Sequence, residues 1–156
     1  MSLPLGDAGI VIGAGRSERA IAIDTVREFM DAMARHDLDA ARARLAPGFL
    51  LTVPGGHVFR SLEEFLAFGA GRYQAIRKYT DDLEACEAPV GFAVYARGTM
   101  AGTWVDGTSF EQVRYIDRML VREGRIAEMQ VWNDIGESRP GRVTAPAHRD
   151  RTGDLP

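Results

Sequence analysis

Polar and apolar residues alternate with a period of two from Arg114 to Asp134, RYIDRMLVREGRIAEMQVWND. That is the pattern of two long antiparallel strands, joined by a tight turn at Glu123-Gly124. On the first strand one face carries Val113, Tyr115, Asp117, Met119 and Val121. The other carries Gln112, Arg114, Ile116, Arg118, Leu120 and Arg122, and its charge marks it as the wet side. On the second strand Ala127, Met129, Val131 and Asn133 share one face, and Glu128, Gln130, Trp132 and Asp134 the other. Two polar groups, Asp117 and Asn133, therefore point where apolar neighbours point. A buried carboxylate needs a partner, a ligand or a proton.

The rest of the chain supplies helices and further strands. Ser17 is placed to cap a helix running to about His36, with Ala22, Val26, Phe29, Met30 and Met33 as its apolar stripe. A second helix follows Asp37 from Leu38 to about Leu45, and Pro47-Gly48 stops it. Phe49 to Val53 reads as a strand, Pro54-Gly55-Gly56 as a turn, and His57 to Arg60 as a short return strand. Ser61-Leu62-Glu63-Glu64 is a capping box opening a helix to about Ile76, weakened by Gly69 and Gly71. Strands follow at about 79–87, 92–104, 109–121 and 125–134, with Asp106-Gly107 as a hairpin signal. The order predicts an α+β fold in which helices cover one face of a strongly curved sheet. Residues 1–16 read as a flexible arm, 17–136 as the domain, and 137–156 as a polar tail, disordered or draped on a partner subunit.

Composition narrows the function classes. A chain of 156 residues, 46% hydrophobic and 26% charged, is one ordinary globular domain. Its net charge of −3, with no basic stripe, argues against nucleic acid as a partner. The single cysteine, Cys86, excludes an internal disulfide framework, and the three dispersed histidines suggest no metal site. No run reaches membrane-spanning length and no signal peptide stands out, so the expected compartment is the cytoplasm. Gly13-Ala14-Gly15 lacks the third glycine and the βαβ context of a dinucleotide fingerprint, because Glu18 stands in its place. No cofactor is expected.

The element order, with GRIAEMQVWND closing the last hairpin, resembles the nuclear transport factor 2-like superfamily over about Ile21 to Ile135. The resemblance implies a cone of curved antiparallel sheet and three helices around a deep pocket. That superfamily includes ketosteroid isomerases, scytalone dehydratases, limonene epoxide hydrolases and polyketide cyclases of the SnoaL type. The fold hosts many functions, so the site has to be argued separately. Asp117, before Gly124-Arg125-Ile126, matches the ketosteroid isomerases' protonated hydrogen-bond donor. Their general base is matched by Val53 and their oxyanion tyrosine by Phe29, which argues against steroid isomerisation by that mechanism. The acid that cyclases and epoxide hydrolases carry on the last strand is matched by Val131.

Asp117 is thus the leading catalytic candidate, with Tyr115 and His57 as possible assistants and Asn133 as a second ligand donor. Met119, Met129, Val131, Phe29 and Val53 are expected to line the pocket. An Asp in an apolar cavity has a raised pKa, which suits a general acid or a neutral donor to a carbonyl. The expectation is a small hydrophobic ligand and cofactor-independent isomerisation, cyclisation or dehydration. The alternative is a non-catalytic binding, dimerisation or assembly module of the same fold. Trp132, Ile116 and Leu120 among arginines on the outer face point to a homodimer through the sheet.

Overall fold

The computed structural model describes residues 16–139. The expected N-terminal arm, with its glycine run, and nearly all of the C-terminal tail lie outside the described residues. Helix α1 (Glu18–Ala34) starts where expected, with Ser17 Oγ accepting the Ala20 amide at 3.2 Å. Helix α2 (Leu38–Arg42) is capped by Asp37 and is shorter than its pattern suggested. Strand β1 (Leu45–Val53) begins four residues early and passes through Pro47-Gly48. Strand β2 (His57–Phe59) and helix α3 (Leu62–Ala70) follow, the helix capped by Ser61 through the Glu64 amide at 3.2 Å.

Helix α3 does not reach Ile76. The chain turns at Gly71 and enters β3 (Tyr73–Glu87), a strand six residues longer at its start than the sequence pattern indicated. The two weak helix formers, Gly69 and Gly71, end the helix, and residues 73–79 find β4 as a partner instead. Strands β4 (Phe92–Trp104), β5 (Ser109–Arg122) and β6 (Arg125–Asn133) complete one six-stranded sheet in the order β2-β1-β6-β5-β4-β3. Neighbours are antiparallel except β1 and β6, which run parallel. The sheet is not closed.

Bulges bend the sheet and decide which side chains face inward. On β3, Thr80 pairs with Gly98 and Asp82 with Arg97, so Asp81 is an inserted residue. Unbroken alternation from Lys78 and Thr80 would carry Asp82 and Glu84 inside. The insertion turns Leu83 and Ala85 toward the core and leaves Asp82 paired with Arg97 at 2.8 Å. A second bulge lies between the Leu120–Glu128 and Val121–Ile126 pairs. It makes Ile126, fully buried, the inward residue in place of the Ala127 expected from strict alternation. At Gly98 the strands close in so tightly that a Cβ would sit 1.9 Å from the Tyr79 carbonyl oxygen. Glu123 and Gly124 both have positive φ, 49° and 72°, as a two-residue hairpin turn of the expected kind requires.

Helix α1 lies across the concave face. Val26, Phe29 and Ala32 pack there with Leu51, Val53, Val94, Met119, Ile126, Met129 and Val131 in the main core. Thr25 Oγ1 ties the helix to the sheet by reaching the Gly124 carbonyl at 3.3 Å. A second, aromatic cluster of Tyr73, Met100, Trp104, Phe110, Val113, Tyr115 and Ile135 fills the other end of the sheet.

Candidate functional site

Asp117 stands at the seam between these two clusters. Its inward neighbours along β5 divide, with Met119 and Val121 in the main core and Tyr115 and Val113 in the aromatic one. The carboxylate is 1% exposed, as alternation required. Its partner is Lys78, whose Nζ donates to Asp117 Oδ2. The other oxygen, Oδ1, has no hydrogen-bond partner among the described residues. The same ammonium sits 4.4 Å from the centre of the Tyr115 ring, and the Tyr115 hydroxyl shares a 2.7 Å hydrogen bond with Thr80 Oγ1. Four residues from two strands thus form one chain of polar groups, with the β4 backbone at Gly98 between them.

The electrostatics follow from burial. Desolvation pushes the Asp117 carboxyl above its ordinary value, and the Lys78 ammonium opposes that rise. The Tyr115 phenol is also pushed up, chiefly by desolvation, with Thr80 pulling the other way and the charges of Asp117 and Asp81 adding to the rise. The Lys78 side chain keeps 29% of its surface exposed, so it is the outlet of the cluster to solvent.

The other expected site residues divide. His57 does not join Asp117. It is exposed on edge strand β2 beside Phe68, at 5.1 Å between ring centroids, and β1 and β6 separate it from β5. Three strand spacings are about 14 Å, beyond acid–base contact. Asn133 lies opposite Tyr115, but its Oδ1 accepts the Ile135 amide at 3.2 Å and so starts the terminal 3-10 turn, Ile135–Ser138. Met119, Met129, Val131, Phe29 and Val53 are all buried in the main core, against one another rather than around an open cavity. A cleft of about 430 Å³ lies beside them, between Arg27, Met30 and Asp31 of α1 and residues 80–83 of β3. Only Thr80 links it to the polar cluster. Lys78 and Thr80 escaped sequence reading because they fall near the junction that reads as helix running into strand. Among the described residues no group of acids, histidines and cysteines is arranged to hold a metal ion. No helix among the described residues is long and apolar enough to cross a membrane.

Residues 26–129 match the SnoaL-like domain. The chain belongs to that family. Solved structures agree on the fold of this SnoaL-like domain. A nuclear transport factor 2-like protein of unknown function from Burkholderia pseudomallei is 25% identical, with a TM-score of 0.63 over 79% of this chain and 95% of its own. A candidate SnoaL-like polyketide cyclase from Jannaschia is 18% identical, with a TM-score of 0.65 over 81% and 94%. An LEH-like epoxide hydrolase of M. tuberculosis is 20% identical, with a TM-score of 0.61 over 77% and 87%. No curated protein matches the chain.

Proposed function

We propose that this SnoaL-like domain binds a small hydrophobic carbonyl compound and moves a proton on it without a cofactor, in an isomerisation, cyclisation or dehydration. One observation carries the reading: a carboxylate 1% exposed, with one oxygen on a lysine ammonium and the other unpartnered. Burial makes Asp117 a stronger base than an ordinary carboxylate. Lys78 and the Tyr115 hydroxyl are donors for the oxyanion that forms when a proton leaves the carbon next to a carbonyl. Asp117 Oδ1 would take that proton and return it at another position, so no net charge is gained or lost. The family likeness to polyketide cyclases and epoxide hydrolases supports small-molecule chemistry in this fold.

One observation favours the non-catalytic reading. Phe29 and Val53, where the resemblance to ketosteroid isomerases calls for catalytic groups, are apolar and packed in the core, and Asp117 does not border the cleft between α1 and β3. Ligand-observed NMR with a panel of hydrophobic ketones and enones in D2O separates the two. Binding with exchange of protons next to the carbonyl, lost in Asp117→Asn, is the expected result. Binding without exchange assigns the non-catalytic role, and no binding by any member refutes both.

We also infer a homodimer through the outer face of the sheet. Trp132 and Ile116 are cross-strand partners there, 49% and 38% exposed, flanked by Arg114 and Arg118. Leu120, expected to share that patch, is buried in the single chain beside the Arg118 and Arg122 side chains that reach Glu128.

A further inference from the structure

Two N–H groups in the aromatic end of the molecule are buried without an acceptor among the described residues: Trp104 Nε1 and Arg72 Nε. Both residues border the same cleft of about 340 Å³, which Gly71, Val105, Asp106 and Arg139 complete. The indole belongs to a side chain 6% exposed, so water has little access to it. Three separate segments meet here: the end of α3, the turn between β4 and β5, and the residue after the terminal 3-10 turn. The Arg139 guanidinium lies 5.3 Å over the Trp104 ring. The Arg72 guanidinium lies 5.1 Å from the Phe68 ring centre and 5.8 Å from that of Tyr73. Aromatic stacking holds both cations, yet among the described residues neither has a carboxylate partner.

We propose that this cleft is a binding site for a small monocarboxylate, held by Arg72, Arg139 and the Trp104 indole N–H. Each orphaned group is a donor, so the missing partner is an acceptor, and an anion is the acceptor that two guanidinium groups select. Charge sets the class more narrowly. Asp106 is on the rim, and the Thr108 amide that it accepts at 2.9 Å holds its carboxyl below the usual range and therefore ionised. Two cations against one anion leave room for one negative charge, which a carboxylate matches and a phosphate dianion exceeds. The carbonyl end of α3 disfavours an anion, but Gly69 O is already taken by the Arg72 amide at 2.9 Å. The volume is that of on the order of ten water molecules at about 30 Å³ each, enough for an acid of benzoate size. Val105 and the Trp104 ring offer its apolar body a wall. This site lies at the aromatic end of the sheet and does not depend on the chemistry proposed for Asp117.

The test is a titration of the full-length chain with benzoate, followed by the Trp104 indole N–H signal in 1H–15N spectra. Trp132→Phe identifies that signal, because the chain has only two tryptophans. The expected result is a saturable downfield shift, with binding weakened about tenfold or more in Arg72→Gln and in Arg139→Gln. Inorganic phosphate should bind more weakly than benzoate. An unmoved signal, or equal affinity in wild type and both variants, would overturn the site. Phosphate binding more tightly than benzoate would overturn the monocarboxylate class. If Arg72→Gln does not fold, Arg139→Gln alone decides.

Discussion

Replacing Lys78 by Met keeps a long apolar stem against the Tyr115 ring and removes the only partner, among the described residues, of a carboxylate that is 1% exposed. Asp117 then has two choices. It can stay ionised without a cation, for which breaking a buried pair costs about 3–5 kcal/mol. Or it can take up a proton, which at pH 7 costs about 1.4 kcal/mol for each pH unit above its unfolded value of about 3.9, hence at most about 4 kcal/mol, less the part that the raised wild-type carboxyl already carries. The cheaper route sets the loss, so the variant should lose up to about 3–4 kcal/mol at pH 7, at most on the order of 10 °C in Tm for a domain of this size. The pH dependence identifies the cause. In the unfolded chain Asp117 ionises near pH 3.9, and in the folded variant only at higher pH. The folded state therefore holds the extra proton between those values, and its stability, fully present below pH 3.9, falls as pH rises through the folded pKa. Urea unfolding of wild type and variant at pH 4 and pH 7 measures this directly. The deficit should shrink to about 1 kcal/mol at pH 4, leaving mainly the lost cation–π contact. A deficit equal at both pH values, or one below about 1 kcal/mol at pH 7, would show that the charge on Asp117 is not the source of the loss.

Three further outcomes follow from the same structure. Tyr115→Phe removes the hydroxyl bonded to Thr80 and should cost about 1 kcal/mol by urea unfolding; because the phenol is pushed up, wild-type stability falls as pH rises through that folded value above about 10, and the Phe variant should lack this part of the alkaline loss. Gly98→Ala drives a Cβ into the Tyr79 carbonyl and to within 3.0 Å of Thr80 Cα, backbone that cannot step aside, so it should cost about 3 kcal/mol or more in thermal unfolding. Trp132→Glu should convert the proposed homodimer to monomer by light scattering without lowering the monomer's secondary-structure content by circular dichroism; unchanged mass would remove the sheet-to-sheet interface.

Asp117 was legible because β5 alternates without interruption from Val113 to Met119, so one carboxylate among apolar neighbours stands out by parity alone. Its partner was not. Lys78 is 39 residues away, in a stretch whose first half reads as helix until Gly69 and Gly71 end it. Lys78 and Thr80 turn their polar ends toward β5, and the Asp81 insertion lets the strand then bring Leu83 and Ala85 to the core. Ala127 was misplaced for the same reason, since a one-residue bulge reverses every face after it. His57 was a fair candidate in one dimension and fails in three, because the β1–β6 pairing that separates it from β5 is parallel and non-local. The Arg72–Trp104–Arg139 cleft joins segments more than 30 residues apart and has no motif to announce it.

On the proposed reading, burial outweighs the lysine and holds the Asp117 carboxyl above its ordinary value, as an acid–base group needs. A 13C NMR titration of the Asp117 side-chain carboxyl, assigned by comparison with Asp117→Asn, tests it most directly. The expected midpoint lies above the ordinary aspartate value of about 3.9, with a further rise in Lys78→Met. A midpoint at or below that value in the wild type would contradict the claim and mark Asp117–Lys78 as a structural ion pair.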